Sequence, residues 1–383
     1  MTASADRPLR LLYVFRAPVG GLFRNVYDVI KAMVARGHEV GIFCDSTTGG
    51  ERGNRLLEEL RPILKLGIHR QPMHRNPHPT DISALMKIRA LVAEHKVDVV
   101  HGHGAKGGLY ARAAGVLTPN SGPIRCYTPH GGSLNFYPGS LAHKAFMLIE
   151  RALVRGTDLF LFESQFIADR YYEFVCVPKR PTRIALNGLY EHEFDAVQPN
   201  PDATDFLYVG EFREAKGIDT LVEALFLLAN EGLHPSITMV GSGPSEERIR
   251  ALIAERGLDG QFRWRGVTPA AEAFRLGRIM VVPSRFESLP YIVLEAVAGK
   301  LPLITTDVGG IPEIVTRDYR YLLPPNIPQR LANVMKDAFG RPFPDLQADA
   351  TVLSDKIKSH FTVPVMVETI LSGYRAAIAE RRA

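Results

Sequence analysis

Residues 282–313, VPSRFESLPYIVLEAVAGKLPLITTDVGGIPE, leave the chain few ways to fold. An apolar strand ends at Val282, and a loop then carries Ser284, Arg285, Phe286 and Glu287. After Ser288 and Leu289 comes Pro290, which suits a first helical turn because its missing N–H is not needed there. Ile292, Leu294 and Val297 continue the helix, which is expected to stop at Gly299. Residues 301–305 make the next short buried strand, followed by Gly309, Gly310, Pro312 and Glu313. Two buried strands separated by one helix pair in parallel through a crossover.

That geometry has a chemical consequence. The first turn after Pro290, at Tyr291 and Ile292, has unpaired backbone N–H groups and a positive dipole end. An anion is favoured there, at the C-terminal edge of a parallel strand, where open α/β sheets bind ligands. Glu287 precedes the helix and Glu295 lies inside it. Around a diphosphate, each carboxylate could accept hydrogen bonds from sugar hydroxyls. Taken alone, two glutamates at this spacing are better explained by a solvent-facing helix.

The rest of the chain repeats the strand–loop–helix pattern. Residues 9–15 are apolar and lead through Gly20 and Gly21 into a helical period at Leu22, Val26, Val29, Ile30 and Met33. The glycine pair allows backbone to approach a phosphate or sugar, or makes a plain tight turn; it is not the dinucleotide fingerprint. Arg24 could reach the same space. Residues 97–101 form a buried strand ending in His101-Gly102-His103-Gly104. The H-x-H spacing lacks the partners of a metal site. Residues 124–128 lead to Thr128-Pro129-His130-Gly131-Gly132. Residues 206–209 open a second sheet and run into GEFREAKG at 210–217. Further strands are expected at 63–69, 236–240, 262–267 and 319–323. Trp264, the only tryptophan, reads as a core residue.

Charge is uneven. Residues 1–195 hold 25 Lys and Arg against 18 Asp and Glu; the remainder hold 21 against 23. Ten of the twelve histidines are also in the first part. Its partner is therefore expected to be anionic, a membrane surface or lipid diphosphate, with nucleic acid disfavoured for want of a recognition motif. Residues 60–80, basic and free of acids, are one candidate for that surface. Three cysteines, Cys44, Cys126 and Cys176, fit neither a disulfide framework nor a structural zinc and suit a reducing cytoplasm. The opening MTASADRPLR has no signal-peptide core, and no apolar run approaches a membrane span.

Glu287 to Glu295, followed by GGIPE at 309–313, resembles the donor site of the family 4 glycosyltransferases, retaining enzymes of the GT-B architecture known from bacterial polysaccharide and lipopolysaccharide synthesis. TPHG at 128–131, Asn187-Gly188, and His103, Lys106 and Gly107 are similar to further motifs of the family. So is GEFREAKG, except that Glu211 stands where the family carries arginine; Arg213 is expected to supply that charge. The resemblance implies two Rossmann-like α/β domains facing across a cleft, at 1–195 (acceptor) and 196–360 (donor), with residues 361–383 returning to the first domain. The polar segment 190–205 is the expected linker.

The implied reaction moves a sugar from a nucleotide diphosphosugar to a hydroxyl of a saccharide or lipid-linked saccharide. Lys216 and Arg213 would hold the diphosphate with the helix start at 290–293. Glu287, with Ser288, Leu289, Pro290, Tyr291 and Ile292, would hold the sugar, and Glu295 the ribose. Gly210 would lie beside the donor, and Gly266 and Val267 beside the base. Gly20, Gly21 and His130 would act from the first domain. No D-x-D is present, so no metal cofactor is expected; lysine, arginine and helix ends must stabilise the departing charge. The protein is expected in the cytoplasm, peripheral at the inner membrane face. The alternatives on the same architecture are a nucleotide-sugar epimerase and a non-catalytic sugar-nucleotide binding protein; an NAD-dependent oxidoreductase is more distant.

Overall fold

The computed structural model describes residues 7–117 and 122–382. The first six residues of the N-terminus that the sequence reads as free of a signal peptide lie outside them. The chain forms two compact units, Met1–Gly188 with Val363–Ala383, and Leu189–Thr362.

In the first unit seven parallel strands are β1 (Arg10–Phe15), β2 (Glu39–Asp45), β3 (Ile68–Gln71), β4 (Val99–His103), β5 (Ile124–Thr128), β6 (Leu159–Phe162) and β7 (Thr182–Ile184). Their order in the sheet is 3-2-1-4-5-6-7. In the second unit the strands are β8 (Thr204–Val209), β9 (Ile237–Val240), β10 (Phe262–Arg265), β11 (Gly277–Val282), β12 (Leu303–Thr306) and β13 (Leu322–Leu323). Their order is 10-9-8-11-12-13, again parallel. Both sheets are doubly wound Rossmann-like sheets. The direction of winding reverses between β1 and β4 in one and between β8 and β11 in the other, and ligands of such sheets bind at the C-terminal ends of those strands.

Helices cover both faces, so β1 and the middle of β8 are apolar at successive positions rather than alternate ones. Leu11 to Phe15 are all buried, and so are Phe206, Leu207 and Tyr208. The core of the second unit joins Phe206, Leu221, Leu225, Ile279, Val281 and Met335. Trp264 packs at its margin, with the Arg250 guanidinium 3.7 Å from its ring centre.

Several expectations shift. The strand read at 63–69 begins only at Ile68; Arg61–Ile63 is a 3-10 turn, and Gly67 turns the chain with φ +75°. Only Leu322–Leu323 of the expected strand 319–323 pairs. The helix at Tyr291–Ala298 does end at Gly299, but Gly299 has φ −71°; the left-handed residue is Lys300, φ 57°. The border expected after residue 195 falls inside the second unit. Leu189 N–H donates to the Phe361 carbonyl at 2.9 Å and Leu189 bridges to Thr362, which ties the strand exit to the second unit at once. The polar segment 190–205 is packed rather than a free linker: Phe194 is buried and Val197 N–H donates to the Gly299 carbonyl.

The last helix, Val363–Arg382, belongs to the first unit. Asn25 in the helix Gly20–Ala35 donates through Nδ2 to Asn187 Oδ1 at 3.0 Å and to Met366 Sδ at 3.3 Å. Tyr374 reaches the buried centre of the sheet, with its hydroxyl 2.7 Å from His101 Nδ1 and 3.3 Å from Tyr13 Oη.

Candidate active site

The loops after β8 and β11 meet at the reversal point of the second sheet. Lys216 closes a 3-10 turn, Glu214–Lys216, after β8; Glu287 lies in the loop after β11. Lys216 Nζ donates to Glu287 Oε1 at 2.6 Å, and Ser284 Oγ donates to the same oxygen at 2.7 Å. Both residues of the pair are largely shielded, so the ammonium has exchanged part of its hydration for one carboxylate.

Two glycines make this approach possible. Gly217 has φ +63°, and a Cβ there would sit 2.1 Å from the Pro283 carbonyl oxygen. Gly309 has φ +62°, and a Cβ there would sit 1.9 Å from the Glu287 carbonyl oxygen. Gly310 N–H then donates to the Ser288 carbonyl at 2.6 Å. The GGIPE segment therefore clamps the backbone of residues 287–288 from behind. Its helix, Ile311–Val315, starts there and buries Ile311, Pro312 and Ile314.

Arg285 is a strut between the same loops. Its N–H donates to the Ala215 carbonyl, Nη1 to the Glu214 carbonyl at 2.8 Å, and Nη2 to Asp219 at 2.7 Å. The sequence gives no sign of this, since the partners lie more than 60 positions away. Ser284 as a partner of Glu287 is likewise legible only in three dimensions.

The remaining residues singled out in the sequence are placed as follows. Pro290 precedes the helix Tyr291–Ala298 with extended backbone, φ −75° and ψ 121°. Leu289 and Tyr291 are buried, while Ile292 and Glu295 are half-buried. Gly210 follows β8 directly. Arg213 does not join Lys216: it is half-exposed and its Nε lies 3.2 Å from Glu211 Oε2. Glu211 thus neutralises the cation expected to replace the family's arginine. Gly266 and Val267 form an open turn after β10, two strands from β8, roughly 10 Å at ordinary strand spacing.

In the first unit, Gly20 and Gly21 begin the helix after β1, and beyond its chain neighbours and its own helix backbone a Gly20 Cβ would meet no atom of the described residues within 4 Å. Arg24 pairs with Asp28, and Lys106 with Asp81 at 2.7 Å. His130 follows β5 with φ 50°, and Gly131 and Gly132 continue in the left-handed region. A bulky residue there marks a backbone held against its preference, a feature that clusters at functional sites. Its N–H faces Glu163 Oε2 at 3.3 Å. Ser133, just beyond, donates to Glu150, which also accepts from Tyr127 and pairs with buried Arg112.

His130 Nε2 lies 2.9 Å from His103 Nδ1, at the end of β4. The His103 ring stacks on Tyr13 and lies 3.9 Å, centre to centre, from His101. His103 Nε2 is buried with no hydrogen-bond partner among the described residues. Burial pushes the His130 imidazole down to about 3. Burial, then the neighbouring histidines, hold His103 well below its ordinary range. All three rings are neutral at pH 7, so one nitrogen of the His103–His130 contact donates and the other accepts.

Comparison with known proteins agrees with this geometry. The sequence model described as "Glycosyltransferase Family 4" matches residues 19–191, and that described as "Glycosyl transferases group 1" matches residues 190–349. An Escherichia coli glycosyltransferase named for colanic acid biosynthesis is 28% identical over 192 residues, 47% of this chain and 47% of that protein. The match thus spans about half the length of that relative. The D-inositol 3-phosphate glycosyltransferase of Jonesia denitrificans is 26% identical over 360 residues, 84% of this chain and 83% of that protein. Among solved structures, Anabaena HepE in complex with UDP-glucose superposes with a TM-score of 0.77 at 16% identity, covering 95% of this chain and 98% of that one. The two sequence models abut at residues 190–191 and between them account for nearly all of the doubly wound framework. The chain belongs to the family 4 glycosyltransferases.

Proposed function

We propose that the protein transfers a sugar from a nucleotide diphosphosugar to a hydroxyl of a saccharide or lipid-linked saccharide acceptor, with retention at the anomeric carbon. The observation that carries this reading is the Lys216–Glu287 pair at the reversal point of the second sheet, beside the start of the helix Tyr291–Ala298. An arriving diphosphate offers Lys216 a more highly charged partner than one carboxylate. Lys216 turns to the phosphates, and the freed Glu287 accepts hydrogen bonds from hydroxyls of the sugar. Ser288 to Ile292 line the helix start, Glu295 receives the ribose, and the open turn at Gly266 and Val267 receives the base. His130, neutral and held by His103, and the Gly20–Gly21 backbone serve sugar recognition in the first unit.

The chemistry assigned to these groups is electrostatic. The leaving diphosphate gains charge as the glycosidic bond breaks, and Lys216 with the helix N–H groups stabilises that charge in place of a metal ion. The departing phosphate oxygen takes the proton of the acceptor hydroxyl on the same face of the sugar, so retention needs no covalent enzyme intermediate. HepE, of the same fold, has been solved in complex with UDP-glucose, and the Escherichia coli relative is named for colanic acid biosynthesis. The positive balance of residues 1–195 favours an acceptor carrying anionic lipid at the inner membrane face.

A thermal-shift screen of nucleotide sugars tests donor recognition, because a ligand of the folded state raises its melting point. The ligand that shifts it is then supplied with candidate acceptors, and the anomeric configuration of the product is read by NMR. The reading predicts a retained configuration and full activity in EDTA. An inverted product, strict dependence on added divalent metal, or a sugar nucleotide converted without any acceptor would overturn it.

A further inference from the structure

The helix Leu141–Val154 in the first unit carries a surface that nothing in the donor chemistry uses. Its inner side is ordinary: His143, Met147, Glu150 and Leu153 are buried. Its outer side is not. Leu141 is 86% exposed, Leu148 68% and Ile149 43%, and Tyr137, in the loop that leads into the helix, is 83% exposed. Leu141, Ala145, Leu148 and Ala152 follow one another at helical spacing, so the exposed apolar groups form one stripe. Water-exposed leucines scattered singly need no explanation, but a continuous stripe does.

The charges around the stripe have one sign. Lys144, Arg151 and Arg155 are exposed, and the only acid between residues 137 and 155 is Glu150, buried against Arg112. Arg151 is partly engaged, donating to the Phe174 and Val175 carbonyls. Lys144 and Arg155 flank the leucines, and neither side chain makes a hydrogen bond among the described residues; their long stems can lie along an apolar surface while the charged ends reach outward. A second copy of the chain laid on this stripe would bring cation against cation, which opposes self-association. A bilayer rich in anionic lipid meets both halves of the pattern: leucines and tyrosine enter the headgroup boundary, and the cations meet phosphate.

The basic stretch 60–80 does not offer this. Arg70 is spent on the Asp45 and Thr48 carbonyls and on Asn54, and His69 on the Leu66 carbonyl. No helix among the described residues is long and apolar enough to cross a membrane.

We infer that the exposed face of the helix Leu141–Val154, with Tyr137 at its entry, docks the protein on an anionic membrane surface. The inference deepens the lipid-linked acceptor reading, yet it is testable with no donor or acceptor present. The full chain is centrifuged with vesicles of phosphatidylcholine alone and of phosphatidylcholine with phosphatidylglycerol. Binding is expected to the anionic vesicles and to weaken as salt rises. Leu141→Ser with Leu148→Ser should lower the affinity roughly tenfold or more, as two buried leucines are lost from the boundary. Lys144→Glu should lower it several-fold and flatten the salt dependence. All of these positions are on the surface, so melting temperatures should match the wild type.

Wild-type protein that fails to bind anionic vesicles at low salt overturns the inference, as does binding left unchanged by the leucine pair. A dimer in light scattering that the leucine pair dissolves, without vesicle binding, would show that a second copy covers the face and would also overturn it. Transfer to a water-soluble acceptor is measured on the same variants. It should be unaffected, so a failure of docking and a failure of the transferase reading cannot be confused.

Discussion

Lys216 Nζ stands 2.6 Å from Glu287 Oε1 and so joins the loops after β8 and β11 at the point where the second sheet reverses its winding. The principal cation of the candidate site is neutralised by its principal carboxylate. Removing either member exposes the other to a shielded, unpaired state, which is costly. Lys216→Ala and Glu287→Gln should each lower stability in urea unfolding, and the double variant should lose less than their sum, with a coupling of about 2 kcal/mol. Donor turnover in Lys216→Ala should fall at least about 100-fold, the scale for loss of one group that stabilises transition-state charge. Retained turnover would show that the pair is only structural.

Arg213 and Glu211 make a weaker and more exposed pair. Exposed pairs contribute little to stability, about 0–1 kcal/mol, so Glu211→Gln should leave the melting temperature unchanged. It should free the guanidinium and tighten binding of a nucleoside diphosphate up to about fivefold, less at high salt. Titration calorimetry of the wild type and the variant at two salt concentrations checks this. Unchanged affinity at low salt would mean that Arg213 does not face the phosphates.

Gly309 tests the clamp behind Glu287. Gly309→Ala sets a methyl group into the Glu287 carbonyl and imposes a positive φ on alanine. Residues 284–289 must shift, at a cost of more than about 1 kcal/mol. Donor affinity, read by thermal shift, should fall further than overall stability, whereas Gly340→Ala, which meets nothing, should change neither. Equal losses in affinity and stability would remove the special role given to the turn.

The buried histidines set a direction for acid unfolding. Unfolded imidazoles take up a proton near pH 6.5, while folded His130 stays neutral down to about 3, and His101 and His103 also lie far below 6.5. The unfolded state therefore binds more protons below pH 6.5, and stability falls as pH drops through that window. His103→Asn removes one such group, and the slope of stability between pH 6 and pH 4 should shrink by up to about 1.4 kcal/mol per pH unit. Urea titrations at pH 7, 6, 5 and 4 measure it. An unchanged slope would show that the ring is protonated or solvated in the folded state.

Much of this protein was legible in one dimension. Stretches such as LLYVF and FLY, buried on both faces, must be apolar throughout, and the helical period between them dictates parallel crossovers. The positions proposed to hold the donor in the second unit, Lys216, Glu287 and the turn at 309–313, were picked out by their resemblance to family motifs; glycine and charge at strand ends only placed them where a doubly wound sheet can bind a ligand. What the sequence could not say is which side chains spend their charge on each other. Arg213 looked available and is turned to Glu211; Arg285 looked like a loop residue and braces two loops; residues 190–205 looked like a linker and are packed. Lys216 meeting Glu287, and His103 meeting His130, depend on contacts 71 and 27 positions apart. Local propensity carries no information about such pairs: only closure of the sheets brings them within hydrogen-bonding distance, and there the stronger partner wins.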